Sequence, residues 1–347
     1  MFSIREATPS DNAALLRLEA DSPQGTGISI LIDRADYFYR SRMHNQARVL
    51  LAVEDGRIVG VMAFAVKDVL LNGVPDRAAY FYDLRGEATY RRSMKRGLFR
   101  LWKTVLEEVQ AADAAFLYGH VKCDNIDSLN VATRLGAQEM ASFDILTLPA
   151  LRGRTSPLDA HLDSLDEEVA RIEHAVGPRP LKPLRFAAAY ERGAELGYLK
   201  GIFRLERGDS FAQVSAWDLS AIYRGRVLHM PLTLRALGAV LNPAARFLPV
   251  PRVPVVGRPI AYLQLFDPVC GGRHGFALLK SLIGRLQRNA HADGVDILTL
   301  FAYRHDPLVR LPRFLLQTVL HYRTMGLPVR QGALPSERPL YLDIRDI

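Results

Sequence analysis

Ala79-Tyr80-Phe81-Tyr82-Asp83-Leu84 leads into the basic loop Tyr90-Arg91-Arg92-Ser93-Met94-Lys95-Arg96-Gly97, and then into Leu98-Phe99-Arg100-Leu101. These residues read as an aromatic strand, a basic loop closed by glycine, and the start of an amphipathic helix. The same order recurs far downstream. There Ala261-Tyr262-Leu263-Gln264-Leu265-Phe266 precedes Cys270-Gly271-Gly272-Arg273-His274-Gly275 and then Phe276-Ala277-Leu278-Leu279. Free amides at a helix start point outward with partial positive charge, so such a loop is suited to a phosphate. Glycine lets a ligand approach the backbone, and arginine or lysine neutralises a diphosphate. Neither loop has the Gly-Lys-Ser/Thr of a P-loop or the triple-glycine spacing of a dinucleotide fingerprint.

Outward from the first stretch, strand and helix signals alternate. Phe2 to Glu6 reads as a strand, and Thr8-Pro9-Ser10-Asp11 as a helix start for Ala13 to Leu18. A second helix is expected over Arg34 to Met43. Val49 to Val53 and Ile58 to Val69 flank the turn Asp55-Gly56, and Asn72-Gly73 turns into the strand Ala78 to Leu84. Leu98 to Ala111 is expected to be a helix, Ala115 to Val121 a strand, Ile126 to Leu135 a helix closed by Gly136, and Phe143 to Leu148 a strand. Prolines 157, 178, 180 and 183 then punctuate a segment with one acidic helix, Asp163 to Ala175. In the second half, Phe211 to Leu219 and Ala221 to Met230 suggest a hairpin. Ile260 to Phe266 reads as a strand, Phe276 to Arg288 as a helix and Ile297 to Tyr303 as a strand. Phe314 to Met325 reads as a helix closed by Gly326, and Leu340 to Ile344 as a last strand. The parallel order predicts a duplicated domain-sized unit.

The chain has 347 residues, 49% hydrophobic and 24% charged, which excludes disorder as the main state and suits two domains. The divisions expected are residues 1–150, a linker or first helices over 151–185, and 186–347. With 45 basic against 37 acidic residues the net charge is +8, which favours an anionic partner. The basic residues are scattered outside the loop at 91–96, without aromatic interleaving, which argues against nucleic acid. Two cysteines, Cys123 and Cys270, build neither a disulfide framework nor a zinc site, and the histidines lack metal-ligand spacing. No run of apolar residues is long enough for a membrane span and no signal segment opens the chain, so a cytoplasmic location is expected.

These motifs resemble the GNAT superfamily of N-acyltransferases, in a tandem arrangement. The family's phosphate loop reads Gln/Arg-x-x-Gly-x-Gly/Ala between the central strand and the next helix. Arg92-x-x-Lys95-x-Gly97 matches its first and last positions, with lysine in place of the first glycine. In the second half either Cys270-x-x-Arg273-x-Gly275 or Gly272-x-x-Gly275-x-Ala277 fits in part. The family's later signature, an Asn and then a helix ending in Tyr-x-x-x-Gly-Phe, is also divided. Asn125 and Gly136 keep its spacing in the first half, with Ala132 at the tyrosine position. Tyr322-Arg323-Thr324-Met325-Gly326-Leu327 keeps the tyrosine in the second. The resemblance covers about residues 1 to 148 well and 205 to 345 more weakly.

The resemblance implies an α/β (α+β) fold of two tandem GNAT-like domains. Each would be a mixed, mostly antiparallel sheet with splayed central strands flanked by helices. It implies acetyl-CoA, or another acyl-CoA, in the gap between those strands, and direct attack of a primary amine on the thioester. Cofactor contacts would come from Leu84, Arg91, Arg92, Lys95, Arg96, Gly97, Leu98 and Asn125 in the first half. In the second they would come from Gly272, Arg273, His274, Gly275, Phe276 and Ala277. Tyr322 would be the general acid, with a half-buried structural tyrosine as the alternative reading. Candidate bases are Asp83 with Tyr82, and Gln264 with Asp267. Asp83 reads equally as a strand-end carboxylate.

An insertion, Leu232 to Pro259, carries a short amphipathic helix and an apolar, proline-rich run whose charges are all basic. It is expected to pack between the domains, wall a pocket for a hydrophobic amine acceptor, or rest on an anionic membrane. A homodimer stays open. The competing functional class is a degenerate CoA-binding or regulatory module without turnover.

Overall fold

The structure, a computed structural model, describes residues 1–21, 28–87, 97–303, 308, 318–335 and 339–346. Residues 90–96 of the expected basic loop, Tyr90 to Gly97, lie outside the described residues.

The first half opens with β1 (Phe2–Glu6) and α1 (Asn12–Ala20). A capping box of Thr8 and Asp11 organises the helix entry, reinforced by Arg5 paired to Asp11 at 2.7 Å. A short strand, β2 (Ser29–Ile32), follows. The helix expected over 34–43 is instead two 3-10 turns, Tyr37–Tyr39 and Ser41–Met43. Arg34, Arg40 and His44 are drawn into the interior there, so single turns replace a continuous amphipathic helix. β3 (Ala47–Glu54), β4 (Arg57–Leu71) and β5 (Val74–Gly86) form a meander. Its turns place Asp55, Gly56, Asn72 and Gly73 at positive φ, as expected for Asp-Gly and Asn-Gly hairpins. Then come α2 (Gly97–Ala111), β6 (Phe116–Lys122), α3 (Ile126–Arg134) and β7 (Gln138–Pro149).

The second half contains α4 (Leu165–Val176), α5 (Ala187–Glu195), β8 (Leu199–Arg207), β9 (Ser210–Trp217) and β10 (Gly225–His229). These are followed by α6 (Leu232–Ala244), β11 (Tyr262–Gly271), α7 (Gly275–Ala292), β12 (Ile297–Tyr303) and β13 (Val319–Pro328). The expected 211–230 hairpin does not form. β9 pairs with β8 and β11, while β10 pairs with β2 of the first half. The helix expected over 314–325 is replaced, from Val319 on, by strand β13, so Tyr322 lies on a strand. Residues 340–343 run outside any sheet and end in a 3-10 turn, Ile344–Asp346.

Among the described residues, eleven strands make one sheet in the order β1-β3-β4-β5-β6-β13-β7-β12-β11-β9-β8. β13, from the end of the chain, enters between β6 and β7, and β7 in turn pairs with β12. The two sequence halves therefore exchange strands at the centre. One face, called the front, carries α1, α4 and α5 over two clusters containing Tyr37, Tyr80, Tyr118, Phe143 and Trp217. The back carries α2 over Ala79 and Leu117, and α7 over Leu265 and Leu300. Alternation along each strand sends successive side chains to opposite faces, which explains the two layers.

Candidate active site

In each half the two parallel central strands pair briefly and then part. β5 and β6 pair at Ala78–Phe116, Ala79–Leu117 and Tyr80–Tyr118, and the pairing stops there although both strands continue. β11 and β12 pair from Tyr262–Ile297 to Leu265–Leu300, then separate as well. Just past each fork the outer strand carries a bulge. Tyr82 faces Ala63 and Arg85 faces Val61, leaving an extra residue near Asp83, whose φ is +51°. The same shift lies between Phe266 and Val269, with Asp267 at φ +46°. The bulge breaks the ladder and turns backbone groups toward the opening.

A helix starts beyond each bulged strand. α2 begins at the buried Gly97, and its neighbour Leu98 packs with Leu84 behind the sheet. Arg91, Arg92, Lys95 and Arg96 lie outside the described residues. In the second half only Gly272, Arg273 and His274 separate β11 from α7. Gly272 sits at φ +76°, and a Cβ there would stand 2.6 Å from Ser210 Oγ and 2.7 Å from the Asp209 carbonyl. Glycine is required at that position both for its backbone and for space. The His274 amide donates to Ser210 Oγ at 3.1 Å, while Arg273, His274 and Ala277 are exposed and Phe276 is half-buried. Asn125 caps α3 by accepting from the Ser128 amide at 3.2 Å.

The front of the sheet between the two openings is lined with rings. Tyr82 stacks on Tyr80 at 5.5 Å, Tyr80 meets His120 at 5.5 Å, and His120 meets Phe143 at 5.1 Å. Phe143 then meets Phe301 at 6.0 Å, and Phe301 meets Phe266 at 5.5 Å. Tyr322 stacks on Phe143 at 5.4 Å, with Lys122 of β6 as its other cross-strand neighbour. Burial, with a smaller effect from Asp124, raises its phenol to about 12, so it stays protonated at neutral pH. His120 bonds Thr324 Oγ1 through Nδ1 at 3.0 Å, and its buried Nε2 has no partner. Burial, then the charges of Arg40 and Lys67, lower this imidazole to about 3, which keeps it neutral.

The two bulge carboxylates differ. Asp83 is held by Arg34 at 3.0 Å and Arg40 at 3.4 Å, and Arg34 also grips Glu19 at 2.7 Å. Burial works against its charge, but Arg34, Arg40 and Arg85 outweigh it and hold the carboxyl at about 2. Such a group is a fixed anion and a poor proton acceptor. Asp267 instead accepts from the Tyr190 hydroxyl at 2.7 Å and the Tyr341 hydroxyl at 2.9 Å. Burial pushes it up to about 7 despite those hydrogen bonds. Gln264, named with it in the sequence, is buried, with its Nε2 unpartnered.

Sequence reasoning missed the role of residues 340–346, which the alternation of Leu340 to Ile344 disguises as a strand. This segment crosses the front face. Lys67 Nζ binds Asp343 at 2.7 Å and Asp346 at 2.8 Å, and Tyr118 donates to Asp346 at 2.6 Å. Arg40 donates to the Asp346 carbonyl at 2.8 Å, and His44 Nε2 lies 3.1 Å from the Arg345 carbonyl. Beside it, a cavity of about 380 Å³ is lined by Arg42, His44, Arg185, Glu191, Arg192 and Glu195, among others. Among the described residues, no three His, Cys, Asp or Glu side chains converge as a metal site.

No protein-family model matches the chain, and no curated protein matches it in sequence. Solved structures do. N-myristoyltransferase from Saccharomyces cerevisiae with bound myristoyl-CoA aligns at a TM-score of 0.61 and 10% identity, over 94% of this chain and 79% of that one. A second structure of the yeast enzyme with myristoyl-CoA gives 0.59 and 10%, over 94% and 82%. A GCN5-related N-acetyltransferase from Anabaena variabilis ATCC 29413 gives 0.50 and 12%, over 95% and 73%. At these identities the likeness is one of fold, and the fold is the tandem GNAT-like one that the sequence motifs imply.

Proposed function

We propose that this chain transfers an acyl group, taken as acetyl, from acyl-CoA to a small primary amine at the opening between β5 and β6. The observation that carries this reading is the strand exchange. It puts Tyr322, from the second half, on the strand next to β6 and therefore one strand from the first half's opening. The tyrosine and the Arg/Lys loop, separated in the sequence, then serve one site. Acyl-CoA supplies an activated thioester. Gly97 and the cationic residues before it hold the diphosphate, and bulge amides past Tyr82 polarise the carbonyl. The amine proton leaves through water as the C–N bond forms, and His120 Nε2, neutral and without a partner, accepts a hydrogen bond from the amine. Tyr322 gives its proton to the departing thiolate as the C–S bond breaks. The rings of Tyr80, Tyr118, His120 and Phe143 crowd the front of the opening, which favours a short acyl group. The charged cavity beside His44 suits a polar amine better than the hydrophobic acceptor suggested by the insertion.

The test follows thiol release with acetyl-CoA and with myristoyl-CoA across a panel of amines. Turnover with acetyl-CoA is expected, and Tyr322→Phe should lower kcat about a hundredfold with little change in KM for the donor. Equal rates for wild type and both Tyr322→Phe and His120→Ala would remove this site. Tight CoA binding without thiol release would favour a non-catalytic module. The segment 340–346 lying across the front face gives that second reading its footing.

A further inference from the structure

We infer that the outer face of α6 and the loop that follows it form a docking surface for an anionic membrane. The inference does not depend on which opening is catalytic.

Charge singles out this segment first. Between Asp218 and Asp267 the chain has no Asp or Glu, yet it carries Arg224, Arg226, Arg235, Arg246, Arg252 and Arg258. Arg226 pairs with Asp33 of the first half. Arg235, Arg246 and Arg258 are exposed, with no carboxylate in the segment to neutralise them.

Packing supplies the second part. The inner side of α6 rests, through Leu234, Leu237 and Leu241, on a small cluster built around Val227, Met230 and Val253. That cluster lies on the β2–β10 ribbon, which takes one strand from each half. Asn242 clamps the loop by bonding both the amide and the carbonyl of Val253, at 2.8 and 3.1 Å. The inner face is therefore occupied, and the loop is tied back to the helix. The outer face is apolar too. Leu232 is 78% exposed, Val240 69% and Phe247 79%, with Leu248 at 54%. A surface helix normally turns polar residues to water, so the contiguous exposure of Leu232, Val240, Phe247 and Leu248 beside Arg235 and Arg246 points to a further partner.

A bilayer with anionic headgroups matches both features. Apolar side chains enter the boundary between headgroups and acyl chains, and the arginines meet phosphate. Among the described residues no helix is long and apolar enough to cross a membrane, so the contact is a surface one.

The full chain would be sedimented with phosphatidylcholine vesicles and with vesicles containing phosphatidylglycerol, at low and high salt. Binding should be at least about tenfold stronger to the anionic vesicles and should weaken with salt. Leu232→Ser with Phe247→Ser should abolish it. Arg235→Glu and Arg246→Glu should each cost about fivefold. These side chains are exposed, so the melting temperature of each variant should stay at the wild-type value, which separates lost docking from lost folding. Absence of binding to anionic vesicles, or binding unaffected by the serine double variant, overturns the proposal. A wild-type dimer in light scattering that the serine variant dissolves, without vesicle binding, would assign the patch to a second copy of the chain and overturn it equally.

Discussion

At the scale of single residues, the two bulge aspartates show how one backbone device is put to different chemical uses. Asp83 and Asp267 occupy matching strand positions and share a left-handed φ. Asp83 is neutralised by Arg34 and Arg40, whereas among the described residues Asp267 is hydrogen-bonded by two neutral phenols. The folded Asp267 is raised to about 7, above its unfolded value, so the folded state binds the extra proton between roughly pH 4 and 7. Stability from this group is full below that window and is lost as pH rises through it. Asp83 and His120 have depressed folded values and contribute with the opposite sign, so the total slope conceals the effect. Subtracting Asp267→Asn from wild type isolates it. In thermal melts from pH 4.5 to 8, the variant should gain on the wild type as pH increases. A constant difference across that range would mean that Asp267 ionises normally.

At the scale of elements, β13 is the piece on which the centre of the molecule depends. Its residues Tyr322-Arg323-Thr324-Met325 alternate only weakly, and Gly326, which follows them, imitates a helix end. Gly326 is needed for another reason. A Cβ there would run into Met140 of β7 and stand 3.0 Å from Leu334. Gly326→Val should therefore wedge β13 away from β7 and cost about 3 kcal/mol in denaturant unfolding. Under the proposed function it should also weaken turnover, since Tyr322 rides on the same strand. A variant as stable as wild type would show that the strand has room the structure does not indicate.

At the scale of the whole molecule, one continuous sheet links halves that the sequence presents as consecutive units. β7 of the first half is flanked by β13 and β12, and the segment at 340–346 ties Lys67 and Tyr118 of the first half to Asp267 of the second through Tyr341. Residues 1–150 alone would leave β6 and β7 with open edges and Lys67 buried without its carboxylates. That fragment should show no cooperative thermal transition by circular dichroism, whereas the full chain should unfold in a single main step. A sharp transition for the fragment would show that the exchange adds to an already complete domain.

Most local structure and the repeated unit are legible from neighbouring residues alone. Asp55-Gly56 and Asn72-Gly73 fix hairpins through their backbone preferences, and the capping box at Thr8 fixes a helix start. Glycine at 97 and 275 marks where helices follow strands. These are short-range effects, carried by neighbours within a turn or two of chain. That 319–328 is a strand, that Tyr322 stands beside β6, and that 340–346 lies over the front face are outcomes of the assembled fold. Each of those depends on partners more than a hundred residues away, which local propensity and periodicity do not encode. The contrast between Asp83 and Asp267 has the same origin, because an ionisation follows from the charges that folding gathers around a carboxyl, and the residue itself carries no sign of them.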